Sequence, residues 1–434
     1  MTAPSIVENV TCLGCGCVCD DIGVVVRDGR IVEARNACNL GVQWFGDGEL
    51  ASKSLVNGRH LPLTEAISAA ATSLRDARRP LVYLAPGLSC EAYRAAIAIA
   101  DMLRARVDST TSSTAAAFVL FGQERGLATA TLGEIRNRAD VLLFWGIDLE
   151  RRYPRFASRY APEPAGLHVE GRRSRTVIAV DVDGATSTIA ADRRLTIRAA
   201  DELATLTAVG ALTRDSAGAS SRYTSLRAAP WDTARELAPL LLGGRYVGLV
   251  YDTEPDDRAV RSPQRFDALA SLAQSLNERT RCAAVPIRGG GNRSGADVVF
   301  VAQTGYPFAV DFTRGYPRYD PHASSACAVL QRREADAILF VGDAMAAPRE
   351  TVGALSAVRT VAIGPWASAL SLGTESIALD TGRDGIHASG TAFRTDDVPL
   401  PLRAVLPGAP RAVDIIRAVS SAVAESVLTS VSRE

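Results

Sequence analysis

Five of the chain's eight cysteines lie within its first 38 residues, at Cys12, Cys15, Cys17, Cys19 and Cys38. Cys12, Cys15 and Cys19 form a C-x2-C-x3-C trio, and Cys38 follows at a distance. Thiolates are soft donors, and a crowded trio with one remote fourth suits a cubane iron–sulfur cluster. Structural zinc more often uses two separated C-x2-C knuckles, so zinc and a metal-free segment stand as the alternatives. Cys17 falls between two candidate ligands and reads as a bystander.

Other chemistries are thinly represented. Lys53 is the only lysine, which leaves no P-loop GKS/T and little scope for a Schiff base. The histidines are His60, His168, His322 and His387, and no two are spaced i, i+4, so a helix-borne histidine metal pair is excluded. No G-x-S-x-G is present to support a serine nucleophile.

The cysteines need a frame to hold them. VVVRDGRIVEA reads as two strands about an Asp28-Gly29 turn, because that pair tolerates the positive φ of a hairpin. Such a segment has little apolar surface of its own and calls for a metal or a neighbouring domain to hold it. From Leu61 the pattern changes. LTEAISAAATSLRDA has helical spacing, with Thr64 as its expected cap, and PLVYLAPG reads as a buried strand followed by the helix EAYRAAIAIADMLRA. ADVLLFWG, TVIAVDVDG, YVGLVYD, ADAILFVGD and RTVAIGP are further short apolar runs ending near Gly or Asp. Runs of this kind separated by helices predict parallel sheets covered on both faces, with ligands at the carboxyl ends of strands. The expected organisation is an α/β chain with a small Cys-rich segment over 1–57, an α/β lobe over 58–183, and a second α/β region over 184–434 that returns strands to the first lobe. The closing SVLTSVSRE reads as a frayed helical end.

With 434 residues the chain is too long for one core. Lys+Arg and Asp+Glu both number 48, so no net charge attracts a phosphate backbone and nucleic acid is not an expected partner. The N-terminus lacks a basic n-region and a continuous apolar stretch. No run approaches the roughly 18–20 apolar residues needed to span a bilayer, so a cytoplasmic location without membrane contact is expected. Thiols stay reduced there, which favours metal over disulfides.

The run CLGCGCVCDD with NAC at Asn36 to Cys38 resembles the start of the B subunit of formylmethanofuran dehydrogenase. So do TLGEIRNRADVLLFWG (131–146) with RYPRFASRY, RGGGNRSGAD (288–297), TGYPFAVDFTRGYPRYDP (304–321) and GIHASGTAFRTDDVPL (385–400). These blocks keep the family's order over nearly the whole chain. The resemblance implies a molybdopterin-oxidoreductase-like fold with two or more doubly wound parallel-sheet lobes. It also implies a place in a bacterial formyltransferase/hydrolase complex of one-carbon (formaldehyde oxidation) metabolism. In that complex a formyl group passes from formyl-tetrahydromethanopterin to a methanofuran-like carrier and is hydrolysed to formate. A D-type subunit performs the transfer, an amidohydrolase-like A subunit the hydrolysis, and a C subunit completes the assembly.

Redox-active members hold tungsten or molybdenum on two pterins, with a thiolate or selenolate from a Cys-His pair before the TLGE block. The matching positions here are Ser113 and Thr114, and no Cys or His lies between Cys90 and His168. A neutral hydroxyl is a poor substitute for a thiolate on a soft metal. The resemblance therefore implies a vestigial site near Ser113, Thr114 and Arg288, the last matching an arginine that approaches the metal in catalytic members. Neither molybdopterin, tungsten nor molybdenum is expected, and the chain becomes a non-redox scaffold. The alternative is an active tungsten- or molybdenum-pterin CO2/formate subunit with serine or no protein ligand.

Three further groups have bland readings beside functional ones. Arg151, Arg152, Arg155, Arg159, Arg172, Arg173 and Arg175 could attract a polyglutamate-bearing carrier, but a charged face is the commoner cause. Tyr306, Phe308, Phe312, Tyr316 and Tyr319 suit core or interface packing better than a ligand platform. His387 reads as hydrogen-bonded structure rather than catalyst.

Overall fold

The short apolar runs become the central strands of two separate sheets, one in each of two units. The structure is a computed structural model that describes residues 3–214, 229–254, 261–347 and 349–431. One unit comprises Met1–Ser113 with Gly290–Glu434, and the other comprises Thr114–Gly289.

The first unit carries a nine-stranded sheet. Its order from one edge is Arg318–Tyr319, Val310–Asp311, Arg106–Ser109, Pro80–Leu84, Ala337–Val341, Arg359–Gly364, Ser376–Asp380, Ser54–Val56 and Arg59–His60. The middle five strands are parallel and the edge strands antiparallel. Alternation along each strand sends side chains to both faces. Val82 and Leu84 meet the helices Leu63–Arg75, Cys90–Met102, Arg293–Thr304 and Ala412–Val431, whereas Leu81, Tyr83, Phe340 and Ala362 pack on the other side. Both faces are thus covered, as continuous apolar strands require.

The second unit has five strands, all parallel, in the order Arg193–Ile197, Thr176–Val182, Val141–Trp145, Tyr246–Asp252 and Arg281–Ile287. The chain winds outward from Val141–Trp145 in one direction, then returns to its other side with Tyr246–Asp252. The order reverses between those two strands, and a crevice at their carboxyl ends is where such sheets bind ligands.

The cysteine segment belongs to the first unit. Its three antiparallel strands are Ser5–Val10, Ile22–Arg27 and Arg30–Arg35. Asp28 (φ 49°) and Gly29 (φ 75°) form the expected turn, and the helix Asn39–Phe45 follows the last strand. The boundary expected at 57/58 falls in the tight turn joining the last two edge strands of the nine-stranded sheet, and that at 183/184 falls just after Thr176–Val182.

Thr64 is not the cap of its helix. Helix Leu63–Arg75 begins earlier, with Pro62 at the cap position and the Ala66 N–H on the Pro62 carbonyl. Proline's fixed φ suits the entry to a helix, which places Thr64 inside the first turn. At the other end the helix Ala412–Val431 reaches the last described residue, and 432–434 lie outside the described residues. Among the described residues, no helix is long and apolar enough to cross a membrane.

Candidate functional site

The first candidate is the cysteine loop. The Cys12 N–H bonds the Cys19 carbonyl at 2.8 Å and the Val18 N–H bonds the Cys15 carbonyl at 3.2 Å, which curls the trio into one closed loop. Leu13 and Val18 pack against Ala392, Leu400 and Leu402 of a two-stranded hairpin, Gly390–Phe393 with Pro399–Leu402. The Gly-rich block seats the loop from the other side. The Gly291 N–H donates to the Leu13 carbonyl at 2.9 Å, and the Gly291 carbonyl accepts from the Gly87 N–H at 2.8 Å. A neighbouring module, supplied by two blocks remote in sequence, thus holds the cysteine-rich segment.

Cys12, Cys15, Cys17 and Cys19 are all buried and Cys38 is half-buried. Burial pushes the Cys12 thiol well up, and the charges of Cys15, Cys19 and Cys38 push it the same way. The Gly14 N–H bonds the Cys12 sulfur at 3.3 Å and opposes that rise. Cys17 is fully buried and raised too, first by its hydrogen bond to Cys15 and then by burial. Four soft donors within electrostatic range of one another, with an amide donated to one sulfur, have the chemistry of a thiophilic metal site. As they stand, no three or more His, Cys, Asp or Glu side chains among the described residues are arranged to hold an ion.

The second candidate is the segment after the strand Arg106–Ser109. Ser113 and Thr114 end a single helical turn, Thr111–Thr114, and the Ser113 hydroxyl donates to the Thr110 carbonyl at 3.1 Å. The segment is pinned from below by Asp108. Its fully buried carboxylate accepts from the Ala309 N–H (3.0 Å), the Ala326 N–H (2.6 Å) and the Ser112 hydroxyl (2.6 Å). Burial pushes Asp108 up to about 6 despite these donors. The Thr111 hydroxyl donates to Asp297 of the Gly-rich block at 2.5 Å. This hydroxyl-rich turn presents no soft donor, and its residues do not fit a tungsten or molybdenum ligand set.

Arg288 follows the strand Arg281–Ile287 in the second unit. Its Nε lies 3.4 Å from Oε1 of Glu254, and both residues are buried. The arginine thus has an internal carboxylate partner 34 positions away, which no local spacing announces.

The arginine groups do not act as one patch. Arg152 pairs with the buried Asp252, Arg151 with Asp148 (2.6 Å) and Arg172 with Asp192 (2.7 Å). The Arg159 Nε donates to the Tyr160 hydroxyl at 3.1 Å. Arg175 is buried, and its guanidinium donates to the carbonyls of Ala139 (3.0 Å), Pro164 (2.8 Å), Pro162 and Arg136. That last role leaves no mark in spacing or composition, because the acceptors are main chain. In the aromatic block Tyr306 stacks on Tyr319 at 4.9 Å and Phe308 meets Tyr319 edge-on. Phe308 and Phe312 are core, whereas Tyr316 is 54% exposed and stands apart.

His387 lines a cleft of about 560 Å³ with Gly48, Leu50, Ser52, Thr381 and Leu406. Both ring nitrogens are engaged. Nδ1 accepts the Arg383 N–H at 3.0 Å, so Nε2 carries the proton and donates to the Gly48 carbonyl, also at 3.0 Å. Desolvation lowers its pKa first, and the Arg383 charge adds to that effect. A histidine lowered in the folded state contributes stability that is lost as pH falls below its unfolded value near 6.5. Between pH 7 and pH 5 His387 works to lower the urea midpoint while the buried Asp108 works to raise it. The midpoint of His387→Gln is therefore expected to shift upward at pH 5 relative to pH 7 when compared with the wild type. An unchanged slope in the variant would remove His387 from the account.

No protein-family model matches the chain. Two curated proteins, each named as the B subunit of tungsten-containing formylmethanofuran dehydrogenase 2, are 30% identical to it. The protein of Methanocaldococcus jannaschii aligns over 414 residues and that of Methanococcus maripaludis over 412, covering 92% of this chain and 94% of each relative. Among solved structures, a chain of the formyltransferase/hydrolase complex FhcABCD from Methylorubrum extorquens with methylofuran matches at a TM-score of 0.70. It is 22% identical over 86% of this chain and 99% of its own. A likeness of that extent takes in parts of both sheet-bearing units.

Proposed function

This chain belongs to the B-subunit family of the formylmethanofuran dehydrogenases, and from that membership we propose that it is the non-redox B subunit of a formyltransferase/hydrolase complex. In this reading it is a scaffold with molybdopterin-oxidoreductase-like lobes. An amidohydrolase-like A subunit, a C subunit and a formyltransferase D subunit assemble on it. The complex transfers a formyl group from formyl-tetrahydromethanopterin to a methanofuran-like carrier and hydrolyses it to formate. The fold of the FhcABCD chain with methylofuran supports the assignment to this branch.

The observation that carries the scaffold reading is the turn Thr111–Thr114. Its Ser113 hydroxyl is spent on the main chain beside it, and neither thiol nor imidazole lies between Cys90 and His168. Folds and interfaces persist when the few residues that do chemistry are lost, because the core and the site use different side chains. The cysteines then have a structural task. Cys12, Cys15, Cys19 and Cys38 would hold an iron–sulfur cluster or zinc, which fixes the loop and offsets the mutual repulsion of the thiolates.

The relatives' tungsten-containing name favours a second reading, an active CO2/formate subunit. Metal analysis with pterin release on the purified native complex separates the two. The expected outcome is no tungsten, molybdenum or pterin, with iron or zinc that disappears in Cys12→Ala. Ser113→Ala and Thr114→Val should leave formate release by the complex unchanged. Tungsten or molybdenum with two pterins per chain would replace the scaffold reading with the redox one.

A further inference from the structure

Among the described residues, the region beyond the strand Tyr246–Asp252 gathers the guanidinium groups of Arg152, Arg261, Arg265 and Arg288. Three carboxylates answer them, and each has its own arginine. Arg261 is committed to Glu202. Its Nε donates to Oε2 at 3.0 Å, a second nitrogen meets Oε1, and Nη1 donates to the Gly146 carbonyl at 2.7 Å. Glu202 also accepts the indole N–H of Trp145 at 2.9 Å. Asp252 is committed to Arg152, and Glu254 to Arg288. That leaves Arg265, the first residue of the helix Arg265–Asn277, with no carboxylate of its own among the described residues.

Arg265 is 6% exposed. Its Nη2 donates to the main-chain carbonyl of Asp252 at 2.9 Å, and its guanidinium lies over the ring of Phe266, 4.4 Å from the centroid. Nη1 is buried without a hydrogen-bond partner among the described residues. Tyr251, fully buried on the adjacent strand, has a hydroxyl that is likewise without one. The two residues lie within electrostatic range of each other, and Phe266 meets both, its ring centroid 6.4 Å from that of Tyr251 and 4.4 Å from the Arg265 guanidinium carbon. Two buried donors with no acceptor among the described residues, on elements that touch, mark the place of a missing acceptor. A water molecule would satisfy the hydrogen bonds but not the charge. An uncompensated buried cation is costly, and burial with the neighbouring Arg261 already lowers Arg265 to about 10, which still leaves it charged at neutral pH. The first turn of the helix adds partial positive charge at the same spot.

We propose that Tyr251 and Arg265 form a binding site for a small monovalent anion, a halide or formate, at the carboxyl end of the second unit's sheet. The anion accepts from the Tyr251 hydroxyl and Arg265 Nη1 and balances the remaining guanidinium. The site makes no demand on the role of the chain in a complex, so it stands or falls separately from the scaffold reading.

The test uses crystals of the full chain with whatever subunits purify with it, soaked in bromide. Anomalous scattering should place an ion against Arg265 and Tyr251. Water alone at that position overturns the proposal. In solution, exchanging gluconate for chloride at constant ionic strength should raise the unfolding temperature by roughly 1–4 °C per tenfold above the dissociation constant, the upper end applying where the second unit unfolds by itself. A flat response to both chloride and formate also overturns it, whereas a response to formate alone identifies formate as the occupant. Tyr251→Phe keeps the ring and removes one donor, and should shift the anion dependence to higher concentration. Arg265→Gln should abolish it. If that variant fails to fold, the Tyr251→Phe titration decides.

Discussion

Replacing Arg175 by methionine is expected to destabilise the second unit by about 2–4 kcal/mol, because it leaves main-chain carbonyls without their donor. Methionine follows the arginine stem only to about the Nε position, so the buried space that the guanidinium fills is vacated as well. What is lost is the guanidinium, whose nitrogens donate to four main-chain carbonyls: Arg136, Ala139, Pro162 and Pro164. Those oxygens belong to the end of the helix Leu132–Arg138, the entry to the strand Val141–Trp145, and the loop that follows the RYPRFASRY block. Each buried carbonyl left without a donor costs about 1–3 kcal/mol, less whatever water or local rearrangement recovers. Arg175→Lys should restore only part of the loss, because an ammonium is a compact donor and lacks the planar fork that spans separated acceptors. Denaturant unfolding of both variants gives the answer. A loss below about 1 kcal/mol for the methionine variant, the net worth of one ordinary hydrogen bond, would mean the loop holds without this arginine.

Gly290→Ala is expected to be strongly destabilising in the first unit. A Cβ at this position would sit 2.3 Å from the Leu13 carbonyl oxygen and 2.8 Å from the Cys15 nitrogen. Both are backbone atoms of the cysteine loop and cannot rotate away, so the loop must move. Overpacking of this kind costs about 1–3 kcal/mol and more where backbone opposes it. The displacement would break the bond from the Gly291 N–H to the Leu13 carbonyl and shift Cys12 and Cys15 relative to Cys19. The stability of the first unit is therefore expected to fall, and on the proposed metal-holding role of the cysteines the iron or zinc content falls with it. Gly353→Ala is the internal control. That glycine lies in the helix Arg349–Ala354 with open space around its Cβ, so alanine there should stabilise by roughly 0.5–1 kcal/mol. If Gly290→Ala matched the control, the glycine block would not be seating the loop.

Much of the fold was readable along the chain, for local reasons. ADVLLFWG, TVIAVDVDG, YVGLVYD, ADAILFVGD and RTVAIGP are each apolar on both faces, and a strand covered on both sides has no other pattern. Asp28-Gly29 announces its turn through backbone sterics alone. Helix ends were less legible: Thr64 had the right chemistry for a cap, yet Pro62 took the position, since both residue types suit a helix entry and only the packed chain chooses.

The site divides in the same way. That Cys12, Cys15 and Cys19 converge follows from their spacing, because so short a stretch can close only a small loop. That Ser113 and Thr114 offer no soft donor follows from their atoms. Membership of the B-subunit family was likewise carried by contiguous blocks. What sequence could not decide was everything made by residues far apart in the chain. Glu254 under Arg288, the four carbonyls around Arg175, the Gly48 carbonyl on His387 and the glycine seat beneath the cysteine loop all join distant segments. Local preference specifies what an element is, since it depends on near neighbours. A buried charge finds its partner only once the sheets close and water is excluded, because only then does leaving it unpaired carry a large cost.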